Sequence, residues 1–164
     1  MEQKEALFQS ILNKHRESIY RICWGFAKTT EDVQDLFQEI MMNLWRGLDR
    51  FRGQAELSTW VYRVSVNSCL LWKRSKKRRI DIDARDGVLP EKGGKTVEDD
   101  FIRSEKMLQL KEAISTLKKI DRTIALLVLE EMSYKEIAEI TGLSVSNVGV
   151  KINRIKTELK KKLQ

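Results

Sequence analysis

Five side chains near the C-terminal end of the chain could form hydrogen bonds with DNA. They are Ser146, Asn147, Lys151, Asn153 and Arg154. A rotation of about 100° per residue along a helix places Ser146, Asn153 and Arg154 on one side, flanked by the other two. Hydrogen-bonding groups on one helical face are typical of an element that enters a DNA major groove. The chemistry predicted here is therefore recognition by hydrogen bonding.

The segment around these residues predicts two helices joined by a tight turn. Ser133 and Glu136 have capping-box spacing, in which each side chain binds a free backbone N–H at a helix start. Gly142 lies where a helix end favours positive φ, and Ser144 can cap the next helix. An apolar stripe follows at three- and four-residue steps: Val148, Ile152, Ile155, Leu159 and Leu163. The pattern is typical of a helix-turn-helix. The alternative is a helical hairpin with a solvated basic face.

Composition limits the classes of function open to this chain of 164 residues. Its hydrophobic fraction of 41% is enough for a core, so wholesale disorder is not expected. The net charge of +7 favours a polyanionic partner. We expect no membrane insertion, because no apolar run approaches the roughly 18 residues that a membrane helix needs. The N-terminus shows no secretory signal pattern, so a cytoplasmic protein is expected.

Residues that commonly bind metals or act as nucleophiles are few and scattered. Cys23 and Cys69 have no CxxC partner, and they are expected to be buried thiols in a reducing compartment, as the lone His15 is expected to be buried. The sequence has no Gly-rich phosphate loop and no Ser/His/Asp or Cys/His grouping. A nuclease would need a supported carboxylate cluster, which is not recognisable here. We expect no enzyme, no metal and no cofactor.

The apolar periods predict an all-α protein with two small helical domains. Residues 1–79 carry three helical patterns, ending respectively near Phe26, Leu48 and Arg79. Residues 80–101 hold the single Pro and several acids, and they predict a flexible, net acidic linker. The second domain, 102–164, starts with a helical pattern near Ile102, restarts around Asp121 and leads into the helix-turn-helix.

The predicted second helix carries an acidic stripe. Asp32, Asp35, Glu39 and Asn43 are spaced by three and four residues, so they share one face, and Gln38 lies beside it. Acids on one face of a basic protein repel nucleic acid and attract a basic protein surface. The stripe therefore indicates a docking surface for a protein, with an ordinary solvated helix face as the alternative.

A polar loop and the third predicted helix combine aromatic and basic residues. Trp60, Tyr62 and Trp72 precede the run Lys73–Arg79, and Gly53 lies in the loop. Unstacked bases can lie on aromatic rings for about 1–3 kcal/mol each while cations follow the phosphates. This pattern indicates binding of single-stranded DNA. Core packing is the alternative for the two tryptophans, and a solvated surface is the alternative for the basic run.

Three segments, in this order, resemble the extracytoplasmic-function (ECF) sigma factors, small two-domain factors of bacterial transcription initiation. The segments are DVQDLFQEIMMNLWRGLDRF, LSTWVYRVSVNSCLLWKRSKKRR and SYKEIAEITGLSVSNVGVKINRIKTELKK. Each motif alone is moderately specific, whereas the ordered set leaves only the linker unmatched. The resemblance implies a region 2-like domain that binds core RNA polymerase, chiefly its β′ clamp, and opens the −10 promoter element. It also implies a region 4-like domain that reads the −35 element, contact with the β flap, and an anti-sigma factor as a further partner.

The same resemblance implies three sets of site residues. The polymerase-binding set is Asp35, Leu36, Gln38, Glu39, Asn43 and Trp45. The −10 DNA-binding set is Arg50, Phe51, Arg52, Gly53, Gln54, Trp60, Tyr62, Arg63, Asn67, Lys73 and Arg74. The −35 DNA-binding set is Ser144, Ser146, Asn147, Lys151, Asn153 and Arg154.

The sequence departs from the family pattern on the recognition helix. Gly149 and Val150 stand where many relatives place an Arg and a Ser, so base reading must depend on the polar residues around them. We expect the missing side chain of Gly149 to permit close approach of the DNA backbone. The segment LKKID, Leu117–Asp121, also lacks a Pro that family members often have. The promoter sequence therefore cannot be transferred from relatives.

One alternative function remains from a different class. A conventional helix-turn-helix regulator, with an N-terminal domain that dimerises or senses a ligand, would bind duplex DNA tightly without polymerase. The acidic stripe and the aromatic, basic third helix favour the polymerase-dependent interpretation.

Overall fold

Seven α-helices make up the part of the chain that the computed structural model describes, which is residues 1–85 and 105–164. Side chains are described for residues 1–78 and 105–164. The helices are α1 (Glu2–Phe26), α2 (Thr30–Gly47), α3 (Leu57–Arg85), α4 (Glu105–Ser115), α5 (Lys119–Leu129), α6 (Tyr134–Thr141) and α7 (Val145–Lys162). No β-strand occurs within these ranges, which confirms the predicted all-α class.

Helices α1, α2 and α3 form the N-terminal half, residues 1–85, around a shared apolar core. Ile19, Leu36, Ile40 and Val61 are fully buried there, and each such side chain contributes about 1.5–3 kcal/mol on burial. The predicted hydroxyl cap of α2 is confirmed, because Thr29 Oγ1 accepts a hydrogen bond from the backbone N–H of Asp32 at 3.0 Å. This cap fixes where α2, the helix with the acidic stripe, begins.

Helices α4 to α7 form the C-terminal half, residues 105–164, and α6 and α7 make the predicted helix-turn-helix. The capping box of Ser133 and Glu136 is present at the start of α6. Gly142 adopts the left-handed conformation with φ of 79°, and Ser144 Oγ accepts from the backbone N–H of Asn147 at 3.1 Å. These local signals are confirmed because each depends on residues only two to four apart.

Several predicted boundaries were wrong by a few residues. Helix α3 continues to Arg85, six residues into the predicted linker, whose remaining residues 86–101 lie outside the described ranges. Helix α5 begins at Lys119 rather than near Asp121. The guanidinium of Arg122 donates to the carbonyl oxygens of Ser115 and, at 3.4 Å, of Leu117, so it satisfies carbonyls left free where α4 ends.

The two halves pack directly on each other, which the sequence did not predict. Gly25 of α1 faces Leu126 of α5 so closely that an added Cβ would lie 2.3 Å from the leucine Cδ2. The guanidinium of Arg21 binds both carboxylate oxygens of Glu130, with N–O distances of 2.6 and 2.8 Å. We call this contact region between the halves the closed interface.

A second group of contacts in the closed interface surrounds the end of α1. Lys111 Nζ donates to the carbonyl oxygens of Trp24 and Ala27, each at 2.6 Å. The Arg122 guanidinium carbon lies 5.9 Å from the centre of the Phe26 ring. Burial lowers the pKa of Lys111 to about 8 and also lowers the pKa of Arg122. Basic residues of the C-terminal half thus bind the end of a helix in the N-terminal half.

The two cysteines are buried, as predicted, and they are neighbours in space. Cys23 of α1 and Cys69 of α3 are fully buried free thiols whose side chains interact. Burial, with the contribution of Cys23, raises the pKa of the Cys69 thiol. His15 is also buried, and burial followed by the charge of Lys14 lowers its pKa. All three side chains are part of the buried core.

Candidate nucleic-acid interface and neighbouring surfaces

The predicted recognition helix is α7, and its two faces divide as the sequence indicates. Val148, Ile152 and Ile155 are buried against the rest of the C-terminal half. The opposite side is exposed along its length: Ser146, Asn147, Val150, Asn153, Arg154 and Thr157. The apolar stripe ends early, because Leu163 is 43% exposed. The outer face of α7 is therefore free for a large partner.

Two predicted −35 residues have partners within the chain. The Ser144 hydroxyl accepts the cap hydrogen bond described above, so its acceptor is partly used. Lys151 Nζ lies 3.6 Å from Asp121 Oδ1, and both side chains are 21% exposed. Because the pair is partly exposed, its ion-pair energy is at most about 1 kcal/mol, which DNA phosphates could displace. Lys151 is therefore available to DNA only after it leaves Asp121.

The expectation for Gly149 was wrong in direction. A Cβ built on Gly149 would point at Tyr134 of α6, with distances of 3.5 and 3.8 Å to two ring carbons. Such distances are ordinary van der Waals contact, so an alanine fits there without displacement. The missing side chain of Gly149 faces the partner helix of the hairpin and does not clear space for DNA.

The acidic stripe of α2 is exposed in its central part. Asp35, Gln38 and Glu39 lie on the outer surface of the N-terminal half, away from the closed interface. Asp32, at the start of the stripe, forms an ion pair with Lys76 of α3. The free acidic surface of the helix is therefore centred on Asp35 and Glu39.

The other three predicted polymerase-binding residues are less accessible. Leu36 is fully buried in the core, so its inclusion in a contact surface was wrong, and it holds α2 in place instead. Asn43 Nδ2 donates to Ser68 Oγ at 2.9 Å. Trp45 is half-buried between the Phe8 ring, with centroids 5.3 Å apart, and the Lys4 ammonium at 4.0 Å.

The loop between α2 and α3 places polar residues around an aromatic pair. Arg50, Arg52, Gly53 and Gln54 are exposed, and Gly53 has a φ of 75°. Phe51 and Trp60 are half-buried, with ring centroids 5.1 Å apart. An added Cβ on Gly47 would lie 2.8 Å from the Trp60 ring, so this ring is held closely. The loop thus has rings at its base and cations at its rim.

Two predicted −10 residues on α3 lie in the closed interface. Tyr62 is 7% exposed and packs edge-on against His15, with ring centroids 5.6 Å apart, and burial raises the pKa of its phenol. Arg63 donates to the backbone oxygen of Glu139 in α6 at 2.7 Å. Asn67, one turn further along α3, is exposed. The closed interface thus covers part of the predicted single-strand surface.

The basic end of α3 adjoins the C-terminal half. Arg74 is exposed, whereas Lys73 is half-buried close to Lys119 and Arg122. Trp72 is half-buried with the Lys76 ammonium 5.1 Å from its ring centre. Trp60 and Trp72 are thus only partly buried, so core packing, the alternative considered for both, covers only part of the surface of each ring.

Sequence reasoning missed the residues that hold the closed interface. The charged residues that hold it are Arg21, Lys111, Arg122 and Glu130, and neither spacing nor composition distinguishes them from solvated residues. Only Gly25, a glycine inside a helical pattern, gave a local signal of close packing.

Other kinds of site are not found in the described part of the chain. Residues 1–78 and 105–164 bring together no group of three or more side chains suited to a metal ion. Among the described helices, none has the length and apolar character that crossing a membrane requires.

A helix-turn-helix with an exposed polar face on a basic chain is typical of a DNA-binding factor. Family comparison agrees: residues 11–79 match sigma-70 region 2, and residues 107–159 match sigma-70 region 4. The chain belongs to the ECF RNA polymerase sigma factors, which recognise promoters and initiate transcription.

Individual relatives cover most of the chain. It is similar to RNA polymerase sigma factor YlaC of Bacillus subtilis, with 31% identity over 92% of this chain and 94% of that protein. The ECF sigma-E factor of Escherichia coli K12 is 32% identical over 81% of this chain and 74% of that protein. ECF sigma factor SigW of Bacillus subtilis is 27% identical over 96% and 89%.

Two solved structures share the fold. The sigma factor RpoE in complex with the anti-sigma factor NepR, from Bartonella quintana, has a TM-score of 0.75 with 20% identity, covering 95% of this chain and 96% of that one. CnrH in complex with the cytosolic domain of CnrY has a TM-score of 0.71, also with 20% identity, covering 97% and 88%.

Proposed function

We propose that α2 binds core RNA polymerase through its free acidic surface. The observation that carries this assignment is the exposure of Asp35 and Glu39 on a chain with net charge +7. Two acids on the outside of a basic protein select a basic protein surface, because nucleic acid would be repelled. Core polymerase, through its β′ clamp, supplies that surface in our proposal, and the β flap contacts the C-terminal half.

The DNA-binding roles are assigned to two separate surfaces. The exposed face of α7 reads the −35 element in the major groove, with Arg154, Asn153 and Asn147 as the accessible hydrogen-bonding groups. The loop at Gly53 and the following part of α3 hold the opened −10 element, with bases on the Phe51–Trp60 pair. The domain division follows, with residues 1–79 for the polymerase and the −10 element and residues 102–164 for the −35 element.

Promoter binding in this scheme requires the closed interface to open. Tyr62 is 7% exposed and Arg63 is bound to Glu139, so neither can meet a DNA strand while the halves are packed together. The acidic surface of α2, in contrast, is accessible in the closed form. Polymerase can therefore bind the closed form first. Because polymerase and promoter bind the open form more tightly than the closed form, their binding then shifts the population toward the open form.

Regulation and location follow from the same assignment. The protein works in the cytoplasm, where polymerase and promoter DNA are found, and it acts by binding rather than by enzymatic catalysis. We propose an anti-sigma factor as a further partner. The structural neighbour RpoE was solved in complex with the anti-sigma factor NepR, and CnrH was solved in complex with the cytosolic domain of CnrY.

Charge reversal on α2 tests the docking assignment. The variant Asp35→Lys/Glu39→Lys should bind purified core polymerase at least tenfold more weakly, since like charges across an interface cost several kcal/mol. Fluorescence anisotropy of the labelled protein measures the Kd, and circular dichroism checks helicity. The matched control is Glu17→Lys/Glu112→Lys, which reverses two exposed acids on other helices. Equal binding by both double variants would remove the assignment.

A further inference from the structure

A cleft of about 360 Å³ lies where the two halves meet. The end of α1, the start of α2 and the basic end of α3 form one side, and Lys119 at the start of α5 forms the other. Phe26 and Trp72 provide apolar wall. The volume falls in the range of about 300–1,000 Å³ that is usual for small-molecule sites.

The charge of this cleft is strongly unbalanced. Six Lys and Arg side chains line it, and among the described residues the single lining carboxylate is Asp32. Asp32 is already occupied by an ion pair with Lys76. The remaining lysines, including Lys28, Lys73 and Lys119, come from three different segments and meet at one place. Packing the halves together therefore adds Lys119 of the C-terminal half to five basic side chains of the N-terminal half.

The pKa of Lys73 reflects both its burial and its basic neighbours. Burial, followed by the charges of Arg122, Lys119 and Lys28, lowers the pKa of Lys73 to about 8. A bound anion would reverse the effect of those neighbours, since an opposite charge within about 4–6 Å favours the ammonium form. The geometry and the electrostatics both indicate that the cleft suits a multiply charged anion.

We propose that this cleft binds a small molecule carrying two or more linked phosphate groups, with Lys28, Lys73 and Lys119 holding the anion. A single carboxylate would leave most of the positive charge unpaired, whereas a terminal phosphate alone carries about −1.5 to −2 charges at pH 7. Lysine acts as a point charge toward phosphate, which suits a flexible polyphosphate. The ligand contacts both halves, so it stabilises the closed interface by mass action.

Isothermal titration of the full chain with sodium tripolyphosphate tests the proposal. The titrations are run without polymerase, DNA or divalent metal, so their outcome is independent of the promoter-binding assignment. Lys73→Gln and Lys119→Gln should each weaken the Kd about tenfold, the loss expected when one charge-assisted hydrogen bond is removed. Lys160→Gln, which removes one exposed lysine at the far end of α7, should change it less than twofold.

Three results would overturn the proposal. The first is absence of saturable binding to the wild-type protein in about 150 mM salt, where screening suppresses diffuse attraction. The second is an equal loss in Lys160→Gln, which would show a general net-charge effect. Thermal melting checks the fold of each variant. Lys119 is exposed, so Lys119→Gln keeps the test valid if Lys73→Gln misfolds.

The third result concerns the source of the phosphates. A short oligothymidylate, titrated at equal phosphate concentration, should bind more weakly than tripolyphosphate and should be insensitive to Lys119→Gln. If the oligonucleotide binds more tightly and loses affinity in the same variants, the cleft is a nucleic-acid groove and the small-ligand proposal is wrong.

Discussion

The ion pair between Arg21 and Glu130 joins the two halves, and its removal should loosen the closed interface. The Glu130 side chain is 5% exposed and the Arg21 side chain 41% exposed. Arg21→Ala leaves the carboxylate buried without its bidentate partner. Breaking a fully buried pair costs about 3–5 kcal/mol, and the partial exposure of Arg21 reduces our expectation to about 1–3 kcal/mol.

The substitution raises the free energy of the closed form alone, because the Glu130 carboxylate is hydrated again when the halves separate. A change of about 1–3 kcal/mol corresponds to a shift of roughly 5- to 150-fold in the ratio of closed to open molecules. If the open form makes up about 10% of the wild-type protein, the upper end of the usual range for a minor state, it would rise to roughly 35–95%. The individual helices should keep their structure, since the pair lies between elements.

Small-angle X-ray scattering measures the result. A compact chain of this length has a radius of gyration of about 15 Å, and the Arg21→Ala protein should exceed the wild-type value by several ångströms (~3 Å or more) as separated halves become populated. Lys14→Ala, an exposed position on the same helix, is the matched control. Arg21→Ala/Glu130→Ala should recover part of the compaction, because no unpaired charge remains. If Arg21→Ala scatters like the wild type and melts at the same temperature, the pair does not hold the halves together.

Three further predictions concern α7 and the pH dependence of stability. Gly149→Ala should raise the free energy of unfolding by up to about 1 kcal/mol through helix propensity, measured by urea denaturation, and should leave the promoter footprint unchanged. Lys151→Ala/Arg154→Ala should abolish the −35 footprint of the holoenzyme, and an unaltered footprint would count against α7 as the reading helix. Because the folded-state pKa values of Lys73 and Lys111 are lowered to about 8 from 10.5, the unfolded chain binds more protons between those values. The melting temperature should therefore rise with pH in that window, and a steady fall there would contradict the buried positions of both lysines.

Features that depend on nearby residues could be predicted from the sequence. The cap at Ser133, the left-handed Gly142 and the two faces of α7 each arise from a few adjacent positions, and all are confirmed. The helix end at Arg85 was missed because the change in composition after Arg79 resembles a break, although backbone hydrogen bonds continue through it.

Features that depend on contacts between distant segments could not be predicted. What a Cβ on Gly149 would contact depends on the position of Tyr134 in α6, on the other side of the turn. Lys119 adds to the positive charge around Lys73 only when α5 is brought beside α3, since it is 46 residues away in sequence.

Lys111 makes the N-terminal half depend on the C-terminal half for the hydrogen bonding at the end of α1. Its ammonium completes the last turn of α1 by donating hydrogen bonds to two main-chain oxygens, those of Trp24 and Ala27. A fragment ending at residue 85 would lose those donors, and its first helix should fray from Trp24 onward. Separation of the halves on a promoter would thus leave the end of α1 frayed. A new binding surface that supplies hydrogen-bond donors to the same carbonyl oxygens would order it again.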